Sequence, residues 1–170
     1  MWDDLSRAED LCKPDIVLAV NDISVDYPHD LDYMVSYHSD LLIRWDRLRR
    51  ERGLGKAKQV WTGKALNRNP LPNIKQHDSR GGSSGLLATQ IALDDAKATH
   101  VMLIGIPMSP DMRHYHDGKR GEAWSDGRHY KGHWESRAPY FAGRVRSFSG
   151  WTCKLLGEPT IEWLEDIPDV

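Results

Sequence analysis

The sequence predicts an α/β fold with a mostly parallel, three-layer sheet, and two patterns support this. Apolar runs of strand length end in polar residues, and stretches with helical periodicity follow them along the chain. The run from Ile16 to Val20 is apolar on both faces, which fits a central parallel strand better than a half-exposed antiparallel one. Strands that alternate with helices require right-handed crossovers, so helices are expected on both faces of the sheet.

The individual elements are predicted from the same patterns and from the residues that begin and end helices. Trp2, Leu5 and Leu11 share a face of a short first helix. Ser39 is a candidate N-cap and Gly53 a stop for a helix whose apolar stripe is Leu42, Ile43, Trp45 and Leu48. In chain order the prediction is a helix over 2–11, strands over 16–20 and 32–38, the helix after Ser39, a strand over 58–62, a helix over 84–97, and strands over 99–107 and 143–150.

Three segments have no clear period. Residues 63–85 contain many turn formers and are predicted to be a long loop. Residues 109–138 are polar and rich in His and Trp, which suggests a flap, and Gly132 disfavours a helix there. The last ten residues, from Ile161, are predicted to be a frayed tail.

Composition indicates an ordinary soluble globular chain and excludes some classes of partner. The 170 residues suggest a single domain, 1–170. A formal net charge of −2 gives no basis for general binding to nucleic acid or to an anionic membrane. The 7 Trp and 6 Tyr suit surfaces that are half apolar and half wet, as ligand clefts and interfaces between subunits of a homo-oligomer are.

The cysteines and the amino terminus predict a cytoplasmic protein. Cys12 and Cys153 are far apart and match no ligand spacing, so we interpret them as reduced thiols. No run reaches the roughly 18 apolar residues of a membrane helix, and the acidic start "MWDDLSRAED" is unlike a signal peptide.

Polar residues at the ends of the predicted strands are the first candidates for a site. In a parallel sheet, ligands bind beyond the carboxyl ends of the strands. The residues found there are Asn21 and Asp22 after the first strand, Ser36 and His38 after the second, and the loop after Pro107.

The stretch "QHDSRGGSSGLLATQIALDDA", residues 76–96, predicts a glycine turn before a helix. Gly81 and Gly82 permit positive φ and close backbone approach, and Ser83 or Ser84 can cap the helix. The amino end of that helix would attract an anion such as phosphate, to which Arg80 could add a bidentate contact. A tight turn that only caps the helix is the alternative, because neither the Walker A pattern nor G-x-G-x-x-G is present.

The order "VLAVND", "DYMVSYHSDLL" and "SSGLLATQIALDDAKATHVMLIGIP" resembles a superfamily that handles sugars and nucleotides. It includes the compact bacterial sialyltransferases and relatives of archaeal 6-hydroxymethylpterin diphosphokinase, and small phage and prophage proteins are similar too. The resemblance implies a Rossmann-like fold with a nucleotide across the strand ends. It assigns nucleotide contacts to Asn21, Ser84 and Gly85, and with the turn it makes Asp22, Gly82 and Ser83 candidates as well.

The sequence departs from this family at two points. The family begins with a strand and a glycine-rich loop, whereas "MWDDL" stands where the following helix is expected, so we expect that first strand to be absent or encoded upstream. The family's later strand ends in an acidic residue, and Pro107 stands here instead.

Histidines are the candidates for general base catalysis. Sialyltransferase-like enzymes use a histidine late in the chain, with tyrosines near the phosphate, which makes His129, His133 and Tyr130 candidates. The group His114, Tyr115 and His116 is a second choice. Exposed loop residues are the alternative interpretation of each.

Metal and charge patterns are weaker signals. Asp111, His114, His116 and Asp117 offer ligand types without a known spacing, so no metal site is assigned. Asp22 and Asp26 have two interpretations: they are turn residues, or they hold a divalent cation such as Mg²⁺ beside a nucleotide. One segment concentrates positive charge, and we interpret it either as a solvated helix face or as a basic edge that steers phosphorylated ligands. Its residues are Arg44, Arg47, Arg49, Arg50, Arg52, Lys56 and Lys58.

The resulting expectation is a nucleotide or nucleotide-sugar binding domain related to glycosyl- or phosphoryl-transferases. The alternative is a non-catalytic phage or prophage accessory protein, or an oligomeric binding protein, that retains the fold. A phage-encoded chain would act in the cytoplasm of the host cell.

Overall fold

The computed structural model describes residues 1–63, 74–78, 81–109 and 127–166. The chain divides into two compact units, which are treated separately: Pro14–Ile91, and Met1–Lys13 together with Ala92–Val170. The elements in chain order are α1 (Trp2–Leu11), β1 (Leu18–Val20), α2 (Ile23–Asp26), β2 (Tyr33–Val35), α3 (Ser39–Glu51), β3 (Gln59–Thr62), β4 (Ile74–Gln76), α4 (Ser84–Asp94), β5 (Val101–Leu103), α5 (Gly127–Phe141), β6 (Val145–Ser147), α6 (Gly150–Leu156) and α7 (Ile161–Glu165).

The unit Pro14–Ile91 contains a four-stranded sheet in the order β1-β2-β3-β4, in which all neighbours are parallel. Val20 lies beside Val35, and Val35 beside Trp61, so these strands end at the same edge. The other unit contains a second parallel pair, β5 and β6, with Leu103 beside Ser147. The predicted α/β class with a mostly parallel sheet is therefore confirmed.

Alternating strand residues divide the apolar core of Pro14–Ile91 into two clusters. Met34 and Val60 pack with Leu42 and Trp45 of α3 and with Val25 of α2. Their chain neighbours Val35 and Trp61 pack with Leu87, Ala88 and Ile91 of α4. Because successive strand residues point to opposite faces, α3 covers one face of this sheet and α4 covers the other.

Most of the predicted elements are present, and the strands are shorter than predicted. Helix α3 begins with Ser39 as its first residue, so the N-cap is His38 and not the predicted Ser39. Gly53 follows the helix with a φ of 77°, as a helix stop requires, and Leu54 N–H donates to the Arg49 carbonyl. In the apolar stripe Leu42 and Trp45 are buried, whereas Ile43 is exposed.

Two predictions about strands are wrong in detail. Among the described residues, strand β1 lies at one end of the four-stranded order and not in its centre. The long loop predicted over 63–85 contains β4, which pairs in parallel with β3 through Val60 and Ile74. Only Ile74 among its three residues is apolar, so no periodic pattern could reveal it.

The helices α5 and α7 occupy segments for which a flap and a frayed tail are predicted. Gly132 lies within α5, where Trp134 and Phe141 are fully buried and their rings are 6.0 Å apart. Their burial outweighs the poor helix propensity of glycine. In α7 the Thr160 hydroxyl accepts a hydrogen bond from Trp163 N–H, which caps the helix, and Trp163 is buried.

The predicted apolar face of α1 is also corrected. Trp2 is 45% exposed, whereas Asp4 and Ala8 are buried. The Asp4 carboxylate accepts hydrogen bonds from Gly105 N–H and from the Ser149 hydroxyl, which accounts for the burial of an acidic residue. Within the described part of the chain, no helix is long and apolar enough to span a membrane.

Candidate functional site

Asn21 lies directly beyond the carboxyl end of β1 in a left-handed conformation. Its φ is 60°, and its N–H donates to the Val35 carbonyl at 3.0 Å. Asparagine accepts this conformation more readily than most residues, although it remains unfavourable relative to the right-handed region. The backbone here is held in an uncommon state at the position where ligands of parallel sheets bind.

Ser36 connects the end of β2 to Asn21. Its side chain is fully buried, and its hydroxyl donates to Asn21 Oδ1 at 2.6 Å and accepts from His38 N–H at 2.9 Å. The Ser36 N–H donates to the carbonyl of Trp61, the next-to-last residue of β3. With Oδ1 fixed by Ser36, the Asn21 amide can present its N–H₂ group as a donor.

Tyr37 attaches the start of α4 to the same edge of the sheet. Its N–H donates to the Ser84 hydroxyl at 3.1 Å, and its phenol donates to the Gly81 carbonyl at 3.2 Å. A Cβ atom on Gly63 would lie 2.2 Å from the Tyr37 ring, so a larger residue at position 63 would require the Tyr37 ring to move. Asn21 and Ser84 are thus joined through the consecutive residues Ser36 and Tyr37, which we call the edge network.

The glycine turn before α4 has the backbone that the sequence predicts. Gly81 and Gly82 have φ values of 95° and 109°. A Cβ atom on Gly82 would lie 2.6 Å from Leu86 Cδ2. Ser83 is the cap, because its hydroxyl accepts from Leu86 N–H and its carbonyl from Leu87 N–H.

The two serines therefore have different roles. The buried Ser84 does not cap the helix, since its hydroxyl accepts from Tyr37. The first N–H groups of α4, at Ser84 and Gly85, have no acceptor within the helix and form its positive end. Arg80, the candidate for an added phosphate contact, lies outside the described residues.

The acidic candidates differ in their surroundings. Asp22 precedes α2 and its side chain makes no capping bond. Asp26 forms an ion pair with Arg52, which leaves it poorly suited to a divalent cation shared with Asp22. In the described ranges no group of three His, Cys, Asp or Glu side chains has the proximity that a metal ion needs.

The basic residues of α3 and of the loop that follows it are largely engaged with acidic side chains. Arg47 pairs with Glu51 and Arg50 with Asp46, both one helical turn apart, and Arg52 pairs with Asp26. Lys58 pairs with Asp32, at 2.6 Å. Arg49 is buried. These contacts favour a solvated, neutralised helix face over a basic edge that steers phosphorylated ligands.

The histidine candidates lie on α5, in the unit that contains Ala92–Val170. The His129 ring is 5.4 Å from that of Tyr130 and 5.8 Å from that of His133, so the three form one cluster. His129 is exposed, and Tyr130 and His133 are half-buried. The second group, His114, Tyr115 and His116, lies outside the described residues, as do Asp111 and Asp117.

Pro107, the departure after β5, contacts the start of α6. Its carbonyl accepts from Trp151 N–H at 2.6 Å, and a Cβ atom on Gly150 would lie 2.2 Å from Pro107 Cβ. The Thr152 hydroxyl donates to the neighbouring carbonyl of Ile106. Pro107 therefore has a structural role in the packing of this loop.

Sequence reasoning found Asn21, Ser36 and Ser84 but missed Tyr37 and the burial of Arg49. Tyr37 lies just after β2, as Ser36 does, and this position is the one sequence signal that could have indicated it. Searches of protein-family models, of curated proteins and of solved structures find no match to this chain.

Proposed function

We propose that the unit Pro14–Ile91 is a Rossmann-like domain that binds a nucleotide or a nucleotide sugar at the carboxyl edge of β1 and β2. The edge network carries this proposal, because it joins Asn21 and Ser84 at one end of a parallel sheet. That end is where nucleotides bind in folds of this class.

The chemistry of these groups suits a phosphate and a sugar. The Ser84 and Gly85 N–H groups at the positive end of α4 favour an anion. The left-handed Gly81 and Gly82 allow the backbone to approach closely, although Tyr37 covers part of this turn through its bond to Gly81. The Asn21 N–H₂ group is a donor for a hydroxyl or a phosphate oxygen, and Asp22 is available to a Mg²⁺ ion carried with the nucleotide.

The resemblance to sialyltransferases and pterin diphosphokinases supports the same ligand class. It extends the proposal to a glycosyl- or phosphoryl-transfer reaction with His129, His133 or Tyr130 as the catalytic groups. Binding without turnover would instead favour the alternative, a non-catalytic accessory protein that keeps the fold.

Binding is tested by calorimetric titration with nucleoside monophosphates, diphosphates and nucleotide sugars, with and without Mg²⁺. We expect at least one to bind, and Asn21→Gly to weaken its affinity about tenfold, equivalent to about 1.4 kcal/mol. Glycine suits the left-handed backbone of Asn21, so this variant removes the amide without adding backbone strain.

Lys97→Gly is the matched control, because Lys97 is also left-handed, with a φ of 58°, and is exposed. The affinity of the Lys97→Gly variant for the nucleotide should equal that of the unaltered protein. The proposal would be overturned if no nucleotide binds at millimolar concentration. It would also be overturned if Asn21→Gly and Lys97→Gly lose the same amount of affinity.

A further inference from the structure

Arg49 is a fully buried arginine whose guanidinium binds four backbone carbonyls. It is 0% exposed. Nη1 donates to Ser24 and Tyr27 at 3.0 and 2.7 Å, Nη2 to His29 at 2.6 Å, and Nε to Gly55 at 2.6 Å. Desolvation by burial lowers the pKa of Arg49 below its ordinary value, while the charges of Asp30 and Asp46 oppose that effect.

Three of these four carbonyls belong to the segment between β1 and β2, residues 21–32, which includes α2. The planar guanidinium has five N–H donors in a fixed geometry, so it can hold several carbonyls in one arrangement. Arg52, directly after α3, forms an ion pair with Asp26, which is a second link to the same segment. The segment that follows Asn21 is therefore attached to α3 at several points.

A hydrogen-bonded path connects Arg49 to Asn21. Ser24, whose carbonyl accepts from Arg49, is itself fully buried. Its hydroxyl donates to the Asn21 carbonyl at 2.7 Å, and its N–H donates to the same carbonyl at 3.3 Å. This carbonyl belongs to the residue with the left-handed backbone, so its hydrogen bonds help to hold that conformation.

We propose that Arg49 is a positioning residue of the nucleotide site: through Ser24 it holds Asn21 left-handed and keeps the Asn21 amide at the carboxyl edge of the sheet. This inference rests on the proposed function. Because Arg49 is fully buried, we infer that it affects binding only through Asn21.

The first test measures affinity in Arg49→Lys, which retains the charge and loses the planar group. We expect about a tenfold weaker affinity for the nucleotide that binds best. Arg50→Lys, on the same helix but exposed, is the control and should bind normally. When Asn21 is already replaced by glycine, Arg49→Lys should cause no further loss of affinity, because the amide that Arg49 positions is already absent.

A merely structural arginine would give a different result. If Arg49→Lys folds and binds normally, or if it causes the same loss with and without the Asn21 amide, the proposal is overturned. If Arg49→Lys does not fold, Ser24→Ala removes the hydroxyl bond to Asn21 while it leaves the carbonyl for Arg49. It should weaken binding in the same Asn21-dependent way, and normal binding by Ser24→Ala would overturn the path.

A second measurement needs no ligand and separates the two proposals. The backbone N–H at position 24 donates to the Asn21 carbonyl, so its protection against hydrogen exchange, measured relative to its intrinsic rate, should be lower in Arg49→Lys, or in Ser24→Ala, than in Arg50→Lys. If the protein binds no nucleotide but Ser24 exchange responds in this way, the proposed function fails while the positioning of Asn21 stands. Unchanged exchange in both of the first two variants would overturn the positioning role itself.

Discussion

At the scale of single residues, the half-buried Asp32 shows how specific partners stabilise an ionised carboxylate. Asp32 at the start of β2 accepts hydrogen bonds from Val17 N–H, at 2.8 Å, and from the Lys58 ammonium. Burial alone would raise the pKa of Asp32, but these bonds and the Lys58 charge together hold it below its ordinary value of 3.8. The pKa of Lys58 is raised correspondingly by its hydrogen bond to Asp32.

This pair predicts a pH-dependent loss of stability in Asp32→Asn. Because the folded state lowers the pKa of Asp32, its stabilisation is fully present above pH 3.8 and is lost as the pH falls through the folded pKa. Urea unfolding of both proteins from pH 2 to 7 should therefore give a difference in the free energy of unfolding that is constant near pH 7 and shrinks below about pH 4. A difference that does not change with pH would contradict this role for the ionised carboxylate.

At the scale of helices and strands, two glycines differ in whether the local structure needs a glycine at that position. Gly82 has a positive φ, and a Cβ atom there would lie 2.6 Å from Leu86 Cδ2, whereas a Cβ atom on Gly132, in α5, would meet nothing within 4 Å. The sequence identified the first through the turn before α4. The prediction that Gly132 disfavours a helix is wrong, because the burial of Trp134 and Phe141 stabilises α5 and helix propensity takes no account of such contacts.

These two glycines predict opposite effects of the same substitution. Gly132→Ala should stabilise the protein by about 0.5–1 kcal/mol, since alanine is a better helix former and meets no clash. Gly82→Ala should destabilise it by more than about 1 kcal/mol, because of backbone strain and contact with Leu86. Urea unfolding measures both, and equal effects would contradict the described turn or the described helix.

The other elements show which signals the sequence contains. Runs such as 16–20 and 99–107 revealed strands, and Gly53 revealed a helix end, because these depend on local residues. The four-residue α2 and three-residue β4 are too short to have a period. Tyr37 and Arg49 could not be assigned because their partners, such as Ser84 and Ser24, are 47 and 25 residues away in sequence.

At the scale of the whole molecule, two compact units each contain parallel strands. Parallel pairing in Pro14–Ile91 is the reason that Asn21, Ser36 and Ser84, which are distant in sequence, meet at one edge. The rule that ligands bind at the carboxyl ends of strands predicts Asn21 and Ser36 as site candidates, whereas Ser84 is predicted from the glycine turn before α4. The histidines on α5 belong to the other unit.

Nuclear magnetic resonance titration of the ¹⁵N-labelled protein with a nucleotide sugar and its nucleoside diphosphate tests the central claim most directly. We predict that the largest chemical-shift changes occur at the Asn21 side-chain amide and at the backbone amides of Ser84 and Gly85. Changes centred on His129 and His133 with none at Asn21, or no changes at millimolar ligand, would contradict a nucleotide site at the carboxyl edge of β1 and β2.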